Sequence, residues 1–235
     1  MNLPFSFHLE DDRWLTEQFG YPVEKLQFGD GVEQGRLGGK IFIYSKVPAE
    51  KTDHVNALIK EGFLLVETHI QFKKVYMPAN LPPMSSVRFS NNQDKDALLD
   101  IAQSSFEHSR FHADPQVSNE LANRIKRNWV ANYFSGARGT HMVVGLDGEK
   151  PVGFTQIIKT PSGDMIIDLI AVAQKFRGKG IAQAMMTFAA NQIPGVKNLV
   201  VGTQLTNASS IKSYQKLGFA LEKASYTLHY HGKSE

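Results

Sequence analysis

The sequence predicts an α/β protein of the α+β kind, with a mixed, mostly antiparallel sheet, helices on both faces and a smaller α/β domain in front. Three observations predict this. A proline-rich stretch at 76–86 interrupts the chain, and proline disfavours both helix and strand pairing. After it, apolar residues alternate between strand and helix spacing. A weak internal repeat relates the two parts. We therefore place the domains at residues 1–80 and 81–235.

The second part is predicted to run in the order β-α-α-β-β-β-α-β-α-β-β. An Asp147-Gly148 turn joins two of its strands as a hairpin. The strands follow the runs 87–90, 141–146, 151–160, 164–173, 198–204 and 219–230, and the helices 94–106, 121–129, 180–191 and 210–217.

The first part predicts strands at 38–47 and 63–76, a helix at 53–61 and a glycine-rich loop at 29–39. Its segment 58–67 resembles 214–223, because in both a helix ends at glycine and a strand starts at phenylalanine. A common junction explains this equally well. If it is a repeat, the first copy is truncated and cannot repeat the chemistry, because it lacks the glycine-rich loop described below.

Composition excludes several classes of protein. Lys and Arg exceed Asp and Glu by only 26 to 23, too little to indicate a nucleic-acid or membrane partner. The absence of cysteine excludes disulfides, thiolate metal sites and a cysteine nucleophile. Acidic residues near the start argue against a signal peptide. We expect a cytoplasmic protein, and a homodimer is left open.

The main motif is QKFRGKGIAQAM at 174–185, between a buried strand and an amphipathic helix. Two glycines let the backbone approach a ligand, and N–H groups at a helix start favour an anion. The spacing is neither a Walker A loop nor a Rossmann fingerprint. The candidate diphosphate-binding residues are Arg177, Gly178, Lys179, Gly180, Ile181 and Ala182.

Arg177, Gly180 and Ala182 match the R/Q-x-x-G-x-G/A signature, and the chain is identified as a member of the GCN5-related N-acetyltransferase (GNAT) family. The resemblance implies a GNAT fold for the second domain and a truncated GNAT half for the first. It implies acetyl-CoA as cofactor, with its pyrophosphate on this loop. It also implies that the preceding strand offers backbone groups to the pantetheine arm, at Ile170, Ala171 and Val172.

A second GNAT signature is the pair Asn207 and Tyr214. A spacing of seven places them on one helix face, roughly 10 Å apart. The resemblance implies that Asn207 contacts the pantetheine arm and that Tyr214 lies near the sulfur. Tyr214 is the candidate general acid, because phenol and thiol pKa values normally lie within about two units. The alternative is a core aromatic residue.

Two carboxylates are candidates for the catalytic base. Asp168 interrupts an apolar strand, and period-two alternation puts it on the same face as Ile170 and Val172. The alternative for Asp168 is an ion pair with a structural arginine. Glu67 in the first domain is the other candidate, and its alternative is a solvated strand-end carboxylate. An amine that arrives neutral needs neither.

The acceptor prediction rests on a further resemblance. Residues 106–115, 129–132 and 201–219 resemble bacterial GNAT enzymes that acetylate the 4-amino group of dTDP-4-amino-4,6-dideoxygalactose (dTDP-fucosamine). Arg110 is then predicted to pair with a diphosphate, and Phe111 to stack on a sugar or base. Alternatives are another amine (an antibiotic, a polyamine or a protein N-terminus) or a non-catalytic acyl-CoA-binding module.

No metal site is expected. His108 and His112 are four residues apart and would share a face if both were helical, but no third ligand is apparent and Arg110 lies between them. His229 and His231 lie on one face of the last strand. We interpret them as surface or packing residues.

Overall fold

The computed structural model describes residues 3–29, 39–78 and 86–232. The strands are β1 (Phe7–Asp11), β2 (Val23–Phe28), β3 (Phe42–Pro48), β4 (Leu64–Val75), β5 (Val87–Phe89), β6 (His141–Asp147), β7 (Lys150–Lys159), β8 (Asp164–Val172), β9 (Asn198–Gln204) and β10 (Ala220–His231). The helices are α1 (Arg13–Phe19), α2 (Thr52–Lys60), α3 (Lys95–Ser105), α4 (Arg110–Ala113), α5 (Asn119–Phe134), α6 (Ile181–Gln192) and α7 (Ala208–Lys216).

These strands form one sheet in the order β1-β2-β3-β10-β4-β9-β8-β7-β6-β5. The β2–β3 and β8–β9 pairs are parallel and the other pairs are antiparallel. The predicted mixed, mostly antiparallel sheet is therefore confirmed. The predicted boundary between residues 80 and 81 lies outside the described residues, as does most of the loop predicted at 29–39. Strands from both parts of the chain alternate within this sheet.

Apolar clusters cover both faces of the sheet. Helices α1, α3, α4 and α5 pack on one face, here called the front face. Helices α2, α6 and α7 pack on the other, the back face. Among the described residues, no helix is long and apolar enough to cross a membrane.

The predicted repeat has a structural counterpart. Gly62 and Gly218 both follow a helix with positive φ, at 91° and 81°. The N–H of Phe63 donates to the Leu58 carbonyl at 3.0 Å, and the N–H of Phe219 donates to the Tyr214 carbonyl at 3.0 Å. The two β-α-β units, β3-α2-β4 and β9-α7-β10, interlock because β10 lies between β3 and β4. Both parts therefore build the centre of the sheet.

The structure differs from the prediction at both ends of the chain. The two final strands predicted in 219–230 are one strand, β10, because neither glycine nor proline interrupts it. The elements β1, α1 and β2 were not predicted. Their signals were local, since Asp12 accepts a hydrogen bond from the Leu15 N–H at 2.9 Å and Gly20 ends α1 in the left-handed region.

Candidate active site

The central feature of the site is an opening between β8 and β9. Their registered pairs end at Ile167 and Val201, although β8 continues to Val172 and β9 to Gln204. Beyond that point β8 remains paired with β7, and β9 with β4. The facing edges therefore present backbone groups that form no ladder with each other. We call this opening the β8–β9 gap, and it joins the front and back faces of the sheet.

The glycine-rich loop lies where β8 leads into α6. Gly178 and Gly180 both have φ of 78°, and a Cβ at either position would meet no atom of residues 3–29, 39–78 or 86–232 within 4 Å. Gly180 is the N-cap of α6, and no side chain of the described residues caps that helix. The first N–H groups of α6 and its positive dipole end therefore face an open, exposed loop. This geometry suits an anionic ligand.

Two contacts hold that loop in place. The Arg177 guanidinium folds back, donating from Nε to the Val172 carbonyl at 3.0 Å and from Nη2 to the Ser105 carbonyl at 3.1 Å. Ile181, the first residue of α6, packs so closely on Gly145 that an added Cβ there would lie 2.4 Å from Ile181 Cγ2. Arg177 thus orders the loop, while Lys179 stands 5.2 Å above the Phe176 ring.

Three residues separate the end of β9 from helix α7, which carries the predicted acid. Asn207 caps it by accepting hydrogen bonds from the Ser210 N–H at 3.2 Å and the Ser209 hydroxyl at 3.0 Å. Tyr214 is 6% exposed and lies in the back-face core against Phe72. Burial raises the pKa of Tyr214 to about 12. The phenol is therefore protonated at neutral pH.

A β-bulge corrects the predicted orientation of Asp168. Leu169 pairs with Gln156 and Ile167 with Ile157, so Asp168 is the extra residue of β8. The bulge breaks the alternation that the sequence implied. Ile170 packs in the back-face core, whereas Asp168 points to the front face, and the prediction that they share a face was wrong.

On the front face Asp168 forms an ion pair with Arg138, which is the predicted alternative to a catalytic base. Arg138 donates two hydrogen bonds to its carboxylate, at 2.6 and 2.7 Å. Trp129 Nε1 and Gln156 Nε2 donate two more, at 3.0 and 3.1 Å. The Asp168 side chain is 8% exposed. Both carboxylate oxygens are therefore occupied by donors.

Glu67 has an environment unlike that of Asp168. It lies on β4, two residues from His69, which pairs with the last residue of β9. Its Oε1 accepts a hydrogen bond from the Thr227 hydroxyl at 3.2 Å, whereas its Oε2 is buried without a hydrogen-bond partner among the described residues. Burial raises the pKa of Glu67, although Arg110 and Lys126 oppose the shift. The predicted alternative, a solvated carboxylate, does not fit this burial. A partly unsatisfied carboxylate with a raised pKa suits a proton acceptor.

Helix α4 places the two predicted acceptor residues differently. The Arg110 guanidinium lies 3.9 Å above the Tyr44 ring, and the Tyr44 hydroxyl donates to Asp12 at 2.8 Å. Burial raises the pKa of Tyr44 to about 12 and lowers that of Arg110. Phe111 is 1% exposed in the front-face core. The predicted stacking of Phe111 on a sugar or base is therefore wrong, because no face of the ring is open.

Lys126 on α5 also belongs to the site, although it was not predicted from the sequence. Its ammonium lies 5.0 Å from the Phe106 ring and 5.1 Å from the Trp129 ring. Burial lowers the pKa of Lys126 to about 8, against the opposing effect of Glu67. Lys126 follows the core residue Ile125, where a lysine is expected on the solvated face of the helix, so nothing in the sequence indicates that it is buried. Together with Arg110 and Glu67 it forms a largely buried group of charges on the front face.

Three metal-capable side chains also converge behind α4. His229 Nδ1 and His231 Nε2 lie 2.6 and 2.7 Å from one Asp114 oxygen. Burial alone would raise the pKa of Asp114, but hydrogen bonds from both histidines outweigh it and hold that pKa well below its usual range. Burial also lowers the pKa of His229 to about 4. His229 Nε2 has no partner among the described residues, whereas ligating histidines usually donate there. We therefore interpret the group as hydrogen bonds that fix α4 on β10, and the histidines as buried and paired rather than at the surface.

Comparison with known proteins agrees with this geometry. Residues 95–219, more than half of the chain, match the acetyltransferase (GNAT) family model. The chain is 30% identical over 200 residues to the spore coat polysaccharide biosynthesis protein SpsD of Bacillus subtilis strain 168, covering 80% of this chain and 66% of that protein. It is 26% identical over 113 residues to a mycothiol acetyltransferase of Corynebacterium efficiens, covering 47% of this chain and 37% of that protein. The chain thus spans less than two thirds of either relative.

Solved structures agree on the fold. A GCN5-related N-acetyltransferase from Sphaerobacter thermophilus superposes with a TM-score of 0.55 at 14% identity, covering 85% of this chain and 62% of that one. At this identity the likeness concerns the fold alone. The family model, together with the glycine-rich loop before α6, shows that the chain belongs to the GNAT family of acetyltransferases.

Proposed function

We propose that this acetyltransferase moves the acetyl group of acetyl-CoA to the amino group of a nucleotide-linked 4-amino-4,6-dideoxyhexose. The observation that carries the proposal is the β8–β9 gap. On its back-face side lie Tyr214 and the helix that follows the glycine-rich loop. On its front-face side lies the group of charges formed by Glu67, Arg110 and Lys126. A thioester held in the gap would meet an amine from the front face without a covalent enzyme intermediate.

The acetyl donor is assigned to the loop and to the β8 edge of the gap. Its diphosphate would lie on the N–H groups of residues 177–182, at the start of α6. The pantetheine arm would lie along the free edge of Ile170, Ala171 and Val172 and reach Asn207 at the start of α7. Backbone donors at such an edge can stabilise the developing oxyanion by a few kcal/mol each.

Tyr214 is assigned as the acid on the leaving sulfur. Its pKa of about 12 lies roughly 3–4 units above that of an ordinary thiol, so full proton transfer costs about 5 kcal/mol before the donor is bound. Tyr214 therefore acts first as a hydrogen-bond donor to the sulfur, and the proton follows as negative charge develops there. Its rigid packing against Phe72 fixes the direction of that hydrogen bond.

Glu67 is assigned as the base and Asp168 as a positioning residue. Glu67 has a raised pKa and a buried oxygen with no hydrogen-bond partner in the described part of the chain, which are the properties of a poised proton acceptor. Asp168 receives donors on both oxygens. It would hold Arg138 and Trp129, and with them the β8 bulge, in the geometry that opens the gap.

The first part of the chain is assigned as a wall of the acceptor pocket. Asp12, Tyr44 and Glu67 all come from it, and all contribute to the polar group around Arg110. A buried polar group of this kind suits a small polar acceptor better than a peptide, because small-molecule sites carry a few precisely placed polar groups. The polysaccharide role in the name of the Bacillus relative supports a sugar.

The test is a thiol-release assay with acetyl-CoA and a panel of amines. We expect dTDP-4-amino-4,6-dideoxyhexoses to be acetylated with kcat/KM at least 100-fold above free aminosugars, polyamines and a peptide N-terminus, about 2.7 kcal/mol of selectivity. A preference for any of the other amines would overturn the acceptor assignment and leave the acetyltransferase family assignment intact. Mass spectrometry of the product, before and after base treatment, distinguishes an amide from an ester.

A further inference from the structure

Two lysines and a histidine lie together on the front face beside Glu67, and the proposed chemistry does not use them. Lys46 on β3 reaches across β10, and its Nζ lies 3.0 Å from His69 Nδ1 on β4. Lys223 on β10 completes the group. We call Lys46, His69 and Lys223 the cationic row. Both lysines are exposed to solvent, and neither forms an ion pair with another described residue.

The strand register explains why these side chains meet. Thr227 of β10 pairs with Lys46 on one side and with Glu67 on the other, and Ser225 pairs with His69. Side chains two residues apart on a strand share a face. The row and Glu67 therefore share the front face, with the hydroxyls of Ser225 and Thr227 between the strands.

The electrostatics of the row are unbalanced. Burial and then the charges of Lys46 and Lys223 lower the pKa of His69 to about 4, so its imidazole is neutral. Burial is the largest cause that lowers the pKa of Lys46, and the charges of Lys223, Arg110 and Lys25 lower it further. The main carboxylate acting against them is Glu67, which Arg110 and Lys126 already flank. Donors that repel one another at an exposed site are stabilised by an anion.

One glycine keeps His69 in this position. A Cβ at Gly202 of β9 would lie 2.4 Å from His69 Nε2, closer than any real contact. The imidazole therefore packs directly on the backbone beside the β8–β9 gap. Because His69 follows Glu67 by two residues, the row lies roughly 7 Å along β4 from the proposed base. That separation matches a ligand with its charge about one sugar ring from its reacting group.

We infer that the cationic row binds the phosphate or diphosphate of the acceptor. This inference rests on the proposed function and moves the predicted diphosphate contact from Arg110 to Lys46, His69 and Lys223. Arg110 is enclosed by Tyr44 and Phe111 and serves to order the pocket. The row would fix the nucleotide so that the sugar amine reaches Glu67.

The test is calorimetric titration of the protein with dTDP and, separately, with inorganic pyrophosphate. Saturating coenzyme A is present throughout, so that its own diphosphate occupies the glycine-rich loop before α6. We expect both to bind, and the Lys46→Met/Lys223→Met variant to bind each more than tenfold more weakly. The matched control, Lys95→Met/Lys150→Met, removes the same charge at exposed positions away from the row and should bind as the wild type does. Gly202→Ala, which changes no charge but displaces His69, should also weaken binding. Thermal melts check that each variant is folded.

Wild-type protein that binds neither probe, or equal loss of affinity in the control and the row variants, would overturn the inference. The inference would also be overturned if Arg110→Lys lost pyrophosphate binding while the row variants retained it. The outcome is independent of acetyl transfer. If the probes bind at the row and no nucleotide sugar is acetylated, the acceptor assignment fails while the anion site stands. If nucleotide sugars are acetylated equally well by the row variants, the site fails while the function stands.

Discussion

Asp168→Asn tests the separation of roles between the two carboxylates. The change keeps the shape of the side chain but removes the charge that receives two hydrogen bonds from Arg138. Breaking a buried ion pair costs about 3–5 kcal/mol. Arg138 is 40% exposed and can turn toward water, so we reduce this to about 2–3 kcal/mol. For a chain of this size the loss corresponds to a Tm lower by roughly 4–12 °C.

Glu67→Gln should behave in the opposite way. Burial raises the pKa of Glu67 in the folded state, so the protonated carboxyl favours the folded state and the ionised carboxylate opposes folding. The stability that the protonated form contributes at low pH is lost as pH rises through the folded pKa. Removing the charge should leave the neutral-pH Tm unchanged or slightly raised. It should lower kcat by ~10²-fold or more and abolish the acidic limb of the pH–rate profile.

The measurements are thermal unfolding by circular dichroism and thiol release as a function of pH. If Asp168→Asn melts with the wild type and alone loses the acidic limb, the roles are reversed. If both variants keep that limb and most of kcat, the amine arrives neutral or loses its proton through water, and neither carboxylate is the base.

The other predictions concern the donor site. Gly180→Asp places a negative charge at the start of α6 and should weaken acetyl-CoA binding more than tenfold by calorimetry, whereas Gly148→Asp in the β6–β7 turn, with φ of 61° and no neighbour within 4 Å, should not. Tyr214→Phe should lower kcat by ~10²-fold with little change in the KM for acetyl-CoA, with Tyr133→Phe on α5 as control; retained kcat would make Tyr214 a packing residue. Gly145→Val would push Ile181 away, which should lower the stability by about 1–3 kcal/mol and weaken acetyl-CoA binding. Unchanged acetyl-CoA binding in the folded variant would show that the start of α6 does not belong to the site.

How much the sequence predicted depended on the range over which each signal acts. The loop before α6 is a local motif, and its residues lie where the spacing placed them. The face of Asp168 was predicted wrongly because a bulge, which depends on the pairing of β7 with β8, overrides alternation. The surroundings of Glu67 could not be predicted, because β10 enters between β3 and β4 from the far end of the chain. Phe111 was assigned to the ligand although its surroundings on α4 bury it.

Direct transfer through the β8–β9 gap is tested most directly by initial velocities measured while acetyl-CoA and a dTDP-4-amino-4,6-dideoxyhexose are varied together. A donor approaching from the back face and an acceptor from the front face must be bound at the same time, which predicts double-reciprocal lines that intersect. Parallel lines, with coenzyme A released in a burst before any acceptor is added, would indicate an acetylated enzyme and would contradict transfer across the gap.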